Sequence, residues 1–250
     1  MKLLLLHGFC EDHRIWDEML THSEYKSEII CIDLPGFGNH ASYYKEATSV
    51  EKMADFIKGQ ITKLELEKFL LVGHSLGGYV TLAYAEKFPN DLAGIGLFHS
   101  TAAADSEERK EARLKTIEFV KTNGAEAYHR VLIPNLFRIE TRHDLINQTI
   151  ALARLAKSDG IIAALEAMRN RPDRTQLLHE YQKPVLFVAG EKDALIPKSQ
   201  IMQQAASCEI AMTRVLEHSA HMGQLEEPKE SAAIIDYFIE FSEHFSLASS

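Results

Sequence analysis

The feature that most constrains this chain is a short apolar run, Phe69–Val72, followed at once by the pattern Gly73-His74-Ser75-Leu76-Gly77. Apolar runs of this length are typical of buried strands, and helical character begins within the pattern. A strand, Gly-x-Ser-x-Gly and a helix in this order predict a nucleophile elbow, a tight turn that pushes the serine out above a sheet. Glycine is needed two positions before and after the serine, because a Cβ there would clash. The alternative is a glycine-rich turn with an idle serine, but the flanking elements favour Ser75 as a nucleophile.

Composition and charge indicate a compact protein that does not bind polyanions. Hydrophobic residues make up 46% of the 250, enough for a sizeable core, and the formal net charge of −9 argues against nucleic acid and anionic membranes as partners. Cys10, Cys31 and Cys208 are too few and too scattered for a disulfide framework or a zinc site, so we expect a reducing compartment. The apolar run Leu3–Leu6 is shorter than the core of a signal peptide, and no stretch is long enough to span a membrane. We therefore expect a cytoplasmic location.

Strand-like and helical patterns alternate through the first hundred residues. The predicted strands are residues 3–6, 29–32, 69–72 and 92–98, and the predicted helices between them are 15–22, 49–64 and a helix from the elbow to Phe88. Strict alternation predicts a parallel sheet with helices on both faces. The alternation resumes with strands at 185–188 and 212–216 and a last helix at 229–245. The sequence therefore predicts an α/β fold with a mostly parallel, doubly wound sheet.

Residues 100–172 interrupt this alternation. They contain helical patches at 107–121, 124–132, 141–156 and 159–169 and no convincing strand. A crossover between parallel strands needs about a dozen residues, whereas 86 separate Phe98 from Val185. We therefore predict a core in two parts, 1–99 and 173–250, with 100–172 inserted as a helical cap that roofs the pocket. The alternative is that these helices pack beside the sheet and enlarge the core. Replacing Leu136 or Phe137 with alanine should alter KM and chain-length preference if the segment is a cap, whereas it should lower stability if the segment is core.

Five motifs occur in order along nearly the whole chain: His7-Gly8-Phe9, Asp33–Gly38, Gly73–Gly78, Gly190–Asp193 and His218–His221. Together they resemble the α/β-hydrolase superfamily, and most of all its esterase, lactonase and C–C hydrolase branch. The resemblance implies the α/β-hydrolase sheet and a catalytic triad. Members usually open with an antiparallel hairpin before the strand that ends in His-Gly, but here only six residues precede His7. We therefore expect about six parallel strands without that hairpin.

The acid of the triad is predicted from strand context. A serine hydroxyl needs a neighbouring base, and that base needs an orienting carboxylate. In this fold the chain order is serine, acid, histidine. Asp193 follows the predicted strand at 185–189, at the edge of the sheet where active sites of open α/β sheets lie. Asp193 could also be a turn-former, and Glu191 and Asp105 remain alternatives for the acid.

The base is predicted to be His221. This residue follows the last predicted strand, 28 residues after Asp193, in a loop before the final helix. His218, three residues earlier, is the rival, and we expect it to pack against or cap the loop instead.

Three further histidines, His7, His74 and His99, end predicted strands at the same edge. They could suggest a metal site, but they lack the i, i+4 helical spacing and the carboxylate partners of hydrolytic zinc sites, so no metal is expected. His7 is instead expected to order the loop after the first strand by hydrogen bonding. Cys10 lies beside this loop without an evident base, and we interpret it as structural.

The oxyanion hole requires backbone N–H groups directed at the developing negative charge. The predicted helix starts at Ser75 itself, so the amides near its N-terminus, chiefly that of Leu76, point at the group that the serine attacks, and Leu76 is one predicted donor. The resemblance places the second donor at Phe9, which could also serve as a wall of the pocket.

The residues at the motif positions separate several reactions within the superfamily. Epoxide hydrolases and haloalkane dehalogenases use a carboxylate nucleophile, which Ser75 excludes. Phe9, Met222, His74 and Tyr79 differ from the residues usual in cofactor-free haloperoxidases, hydroxynitrile lyases and the menaquinone-pathway synthase branch. We therefore predict a serine hydrolase of the carboxylesterase type that cleaves a small ester, thioester or lactone through an acyl-enzyme, without a cofactor.

An alternative of another class is a small-molecule receptor on the same fold, with hydrolysis slow or secondary. The enzyme and the receptor would both bind a small molecule as their partner. The sequence is also compatible with a homodimer.

Overall fold

The computed structural model describes residues 1–138, 140–141 and 143–248. Within them the strands are β1 (Lys2–Leu6), β2 (Ile29–Ile32), β3 (Phe69–His74), β4 (Leu92–Phe98), β5 (Val185–Gly190) and β6 (Ala211–Leu216). The helices are α1 (Asp17–Leu20), α2 (Val50–Lys63), α3 (Leu76–Lys87), α4 (Glu107–Leu132), α5 (His143–Ala153), α6 (Ser158–Asn170), α7 (Thr175–Glu180), α8 (Lys198–Ala205), α9 (Gly223–Glu226) and α10 (Pro228–Ala248).

The strands form one sheet in the order β2-β1-β3-β4-β5-β6, and every neighbouring pair is parallel. The prediction of an α/β fold with about six parallel strands is therefore confirmed. The chain runs outward in one direction from β1 to β2 and in the other from β3 to β6. The loops after β1 and β3 consequently meet at the point where the strand order reverses, which is where open α/β sheets bind their ligands.

The sheet is buried on both faces because side chains alternate along each strand. Leu4 and Leu6 of β1 belong to one apolar cluster, and Leu3 and Leu5 belong to the other. The first cluster includes residues of α2, α3 and α8, and the second includes residues of α1 and α10. Continuous apolar runs in the sequence therefore correspond to strands covered by helices on each side.

The segment between β4 and β5 is helical, with α4, α5 and α6 in place of a single crossover helix. The two predicted helices at 107–121 and 124–132 form one element, α4, which is kinked at Gly124, where φ is 80°. Ile117 and Ile161 belong to the first core cluster, whereas Phe137 belongs to the second. These helices are therefore continuous with the core, and the division into a core and a separate cap stays a prediction.

Short elements account for most differences from the predicted helices. The helix expected at 15–22 is a 3₁₀ turn, His13–Trp16, followed by α1, and the helix expected at 141–156 is α5, with residue 142 outside the described part. Sequence patterns did not predict α7, α8, α9 or the 3₁₀ stretch Gly38–Ala47, because segments this short carry too few periodic positions. Among the described residues, no helix has both the length and the apolar character needed to cross a membrane.

Candidate active site

Ser75 lies in the turn between β3 and α3, and its backbone is strained. Its φ is 48° and its ψ is −110°, in a region that side-chain-bearing residues seldom adopt. A Cβ at Gly73 would lie 2.1 Å from the carbonyl carbon of Gly77, so the close approach of strand and helix requires glycine. The Ser75 N–H donates to the Phe98 carbonyl of the neighbouring strand at 3.0 Å. These contacts hold the serine at the carboxyl edge of the sheet.

His221 lies beside the serine, on the loop that follows β6. Its Nε2 is 2.9 Å from the Ser75 hydroxyl oxygen. The His221 backbone N–H donates to the Leu136 carbonyl at 2.9 Å, so the segment between β4 and β5 helps to fix the loop. The distance between hydroxyl and imidazole allows the ring to act as a general base toward Ser75.

Asp193 holds the other side of the imidazole. Its Oδ2 is 2.7 Å from His221 Nδ1, while its Oδ1 accepts the backbone N–H groups of Leu195 and Ile196 at 2.9 and 3.0 Å. Burial opposes ionisation, but the charge and hydrogen bond of His221 and the hydrogen bond of His99 hold the pKa of Asp193 well below its usual range. The carboxylate is therefore charged at neutral pH and stabilises an imidazolium at His221.

His99 is a second histidine on the same carboxylate, and sequence reasoning did not assign it a role. Its Nδ1 is 3.2 Å from Asp193 Oδ2, and the side chain is fully buried. Burial lowers the pKa of His99 to about 4, so the ring is neutral and Nδ1 carries the proton that it donates. Its Nε2 has no partner among the described residues. The one signal in the sequence was its position at the end of β4, on the edge where Ser75 emerges.

The alternative acids and the rival base have other partners. Asp105 is buried between Arg113 and Arg171, and Glu191 forms an ion pair on the surface with Lys198. His218 is exposed, and its backbone N–H donates to Glu227. Only Asp193 and His221, of the residues considered for these roles, make the chain of contacts to Ser75.

His7 orders the loop after β1, as its position suggested. Its Nδ1 lies 2.7 Å from the Gly8 carbonyl, and its Nε2 accepts the Leu34 N–H at 2.9 Å. Nδ1 therefore carries the proton, and burial lowers the pKa of His7, so the ring is neutral.

His74 forms a buried ion pair with Glu11, a residue that sequence reasoning missed. Nδ1 of His74 is 3.1 Å from Glu11 Oε2, and Nε2 is 2.8 Å from the His221 carbonyl oxygen. Both acceptors lack a proton to donate, so the ring must donate from both nitrogens. Burial works against the charge, but the Glu11 carboxylate raises the pKa of His74. Glu11 Oε2 also accepts the Gly8 N–H at 2.8 Å, which ties the loop after β1 to the elbow.

A cavity of about 220 Å³ opens over the serine. Its wall combines Ser75 and His221 with residues from the loop after β1, from α3 and α4, and from the loop after β5. Phe9 lines this cavity, and its ring packs against Tyr128 of α4 with centroids 6.2 Å apart. Leu76 is the first residue of α3, so its N–H has no acceptor within the helix. Phe9 is thus a wall of the pocket, and the assignment of its amide and that of Leu76 to an oxyanion hole stays a prediction.

Cys10 is fully buried next to this loop. Burial raises the pKa of its thiol well above the usual value, which leaves the thiol protonated and inert. A larger cavity, about 570 Å³, is lined by other residues and includes none of the Ser75, Asp193 and His221 side chains.

Two groups of described residues have ligand atoms close enough together to suit a metal ion. The first consists of His99, Asp193 and His221, whose facing atoms already hydrogen-bond to one another. The second consists of Asp12, His13 and Asp33, where Asp12 pairs with Arg14 and Asp33 accepts hydrogen bonds from His13 and Asn39. Both groups are satisfied by protein donors, so neither favours a metal. The expectation that no metal or cofactor is needed stays a prediction.

A parallel sheet that carries a serine elbow, with a histidine and a carboxylate brought to it from later strands, defines the class of α/β hydrolases. A family model described as the alpha/beta hydrolase family matches residues 3–234. The chain belongs to this family.

Individual relatives align with nearly the whole chain. It is 27% identical to a pimeloyl-[acyl-carrier protein] methyl ester esterase of Neisseria meningitidis over 96% of this chain and 93% of that protein. It is 22% identical to a monoacylglycerol lipase of Bos taurus, over 95% of this chain and 75% of the relative. Among solved structures, a thermophilic esterase from Thermogutta terrifontis superposes with a TM-score of 0.87 at 30% identity, covering 97% of this chain and 90% of the other.

Proposed function

We propose that the protein is a serine hydrolase that cleaves a small ester, thioester or lactone through an acyl-enzyme. The observation that carries this proposal is the unbroken series of contacts from Asp193 through His221 to Ser75, at 2.7 and 2.9 Å, at the wall of a cavity. The relatives named as esterases and lipases support ester bonds as the target.

The proposed reaction is acyl transfer in two stages, for which the contacts of Ser75, His221 and Asp193 are suited. Ser75 Oγ attacks the carbonyl carbon as His221 Nε2 takes its proton, and Asp193 stabilises the imidazolium that results. The amides of Phe9 and Leu76 would hold the oxyanion of the tetrahedral intermediate. On collapse, His221 returns the proton to the leaving oxygen or sulfur, and Ser75 keeps the acyl group. Water then attacks the acyl-enzyme, with His221 again taking and returning a proton, which releases the acid and restores the serine.

The proposal is tested by labelling and turnover. A fluorophosphonate probe should modify Ser75, and Ser75→Ala should lose both the labelling and the activity on a short-chain aryl ester. Because triad residues act as a unit, Ser75→Ala and His221→Ala should each lower kcat by a factor on the order of 10³–10⁶. Many turnovers per molecule at saturating substrate support an enzyme. A single burst would instead support a receptor, and labelling that persists in Ser75→Ala would refute the assignment of the nucleophile.

A further inference from the structure

Two arginines of α4 face the cavity that contains the serine. Arg109 and Arg113 are one helical turn apart, so their side chains project from the same side of the helix, and both line the cavity with Ser75 and His221. Both are partly buried, and the Arg113 side chain is only 17% exposed. The formal net charge of the chain is −9, so two guanidinium groups in the wall of one cavity stand out against the overall charge.

The carboxylates near these arginines do not balance their charge. Asp105 pairs with Arg113 through Nε, and it pairs at 2.9 Å with Arg171 as well, so one carboxylate serves two guanidinium groups. Arg109 donates from Nη2 to the neutral carbonyl of Leu195 at 2.9 Å, and no carboxylate partner is found for it among the described residues. The cavity therefore has an excess of positive charge on its α4 side.

The acidic residue in the cavity wall does not remove this excess. Glu11 lines the cavity, but its carboxylate is taken by His74 and by the Gly8 N–H. A buried carboxylate that already has a cationic partner adds little net charge to the space beside it.

The remainder of the wall is largely apolar. Leucine, isoleucine and methionine side chains face the cavity from α4, from the turn after it, from α6 and from the loop after β5: Leu132, Leu136, Leu165, Met168, Leu195 and Ile196. Such a surface suits methylene groups, whereas guanidinium groups suit a carboxylate that they can bind through paired hydrogen bonds.

We propose that Arg109 and Arg113 form a subsite for a carboxylate at the far end of the acyl chain, so that the preferred substrates are esters of dicarboxylic acids with one free carboxylate. This inference rests on the proposed function, because it assumes that Ser75 attacks the ester carbonyl. The apolar wall holds the methylenes, Ser75 receives the carbonyl, and the two guanidinium groups hold the terminal charge.

Two isosteric substrates test the charge alone. Mono-p-nitrophenyl esters of dicarboxylic acids with four, six and eight methylenes are compared with the same esters bearing a terminal carboxamide. Chains of this length are too long for rapid self-cleavage through a cyclic anhydride. Since a charged hydrogen bond replaces a neutral one, kcat/KM should be higher for the carboxylate by about tenfold or more at the best chain length. The ratio should decrease as salt is added, because ions screen partly exposed charges.

Variants locate the effect. Arg109→Gln should reduce the carboxylate-to-carboxamide ratio about tenfold, and Arg109→Lys should retain part of it. Arg130→Gln is the matched control, because Arg130 is on the same helix, is exposed and pairs with Glu126, and its replacement changes the net charge equally. The carboxylate-to-carboxamide ratio of kcat/KM should be unchanged in Arg130→Gln. Arg113→Gln should also reduce the carboxylate-to-carboxamide ratio. Because this change removes one of the two partners of Asp105, the melting temperature of the variant is measured as well, to show that the fold persists.

The outcomes separate the two proposals. If Ser75 is labelled and both esters are hydrolysed with equal kcat/KM, the carboxylate subsite is refuted while the serine hydrolase stands. An equal decrease of the ratio in Arg109→Gln and Arg130→Gln would also refute the subsite, since it would reveal only a long-range charge effect. If neither ester is turned over and Ser75 is not labelled, the proposed function itself fails.

Discussion

His99 shares the carboxylate that supports the catalytic base, and its replacement should therefore change the pH dependence of the reaction more than the rate at its plateau. Asp193 Oδ2 receives hydrogen bonds from His221 at 2.7 Å and from His99 at 3.2 Å. Both hydrogen bonds therefore partly neutralise the negative charge of the same carboxylate oxygen. Removing the His99 donor leaves more of that charge to stabilise the imidazolium of His221, so the acid limb of the kcat/KM profile should move to higher pH.

The size of the effect follows from the contact. A hydrogen bond to a charged group is worth about 1.5–3 kcal/mol, and one at 3.2 Å, longer than the usual charge-assisted distance, belongs at the lower end. A change of one pH unit corresponds to about 1.4 kcal/mol. Only part of the hydrogen-bond energy depends on the charge of His221, so the acid limb of the profile should move by about 0.5–1 pH unit. The plateau value of kcat should decrease less than about tenfold, because Leu195 and Ile196 still hold the carboxylate.

Two variants make the test specific. His99→Phe keeps the ring and removes the donor, whereas His99→Asn keeps a donor and suits the left-handed backbone at this position, where φ is 47°. The acid limb of the kcat/KM profile, measured with a neutral ester, should move to higher pH in His99→Phe and much less in His99→Asn. A melting temperature for each variant shows that the fold persists. An unchanged acid limb in His99→Phe, or a shift to lower pH, would refute the idea that His99 competes for Asp193.

Three further predictions concern the triad acid, the segment after α4 and the buried ion pair. Asp193→Asn should lower kcat by a factor on the order of 10⁴, whereas Glu191→Gln should change it less than about tenfold, and equal losses would contradict the assignment of the acid. Leu136 and Phe137 belong to the same core cluster, so Leu136→Ala and Phe137→Ala should each lower the free energy of unfolding, by about 2–5 kcal/mol. Of the two, only Leu136 lines the cavity, so only Leu136→Ala should also alter the ester chain-length profile; denaturant unfolding and a series of esters check both. Glu11→Gln leaves the charge of His74 unpaired in the interior, so unfolding in denaturant should show a loss of about 3–5 kcal/mol, and an unchanged stability would show that the pair is not ionic.

The positions of the strands were predictable because the information for them is local. A fully buried parallel strand must be apolar on both faces, so Leu3–Leu6 and Leu92–Phe98 stand out as continuous runs between polar loops. The predicted bounds of β2 and β4 agree with the structure at every residue. Short helices such as α7 and α9 were missed because four to six residues do not establish a period.

For the helices between β4 and β5, local sequence patterns predicted the secondary structure but not the packing. Their helical character was visible, but whether a helix roofs a cavity or fills the core depends on which face meets which neighbour. The structure shows both within one segment, since Tyr128 lines the cavity and Ile117, on the same helix, is buried in the core. Leu136 and Phe137 are adjacent in the chain, and only Leu136 of the two lines the cavity.

The sequence by itself determined the α/β fold and the serine elbow, because strand periodicity, helix periodicity and the need for glycine in a strained turn are properties of a few consecutive residues. It also proposed Asp193 and His221, because the topology of a parallel sheet brings the carboxyl ends of all its strands to one edge. Only the tertiary structure decided the partners of each charge, including His99 on Asp193, 94 residues away, and Glu11 on His74, 63 residues away. No local pattern encodes such pairs, since they depend on distances and desolvation that exist only once the chain has folded.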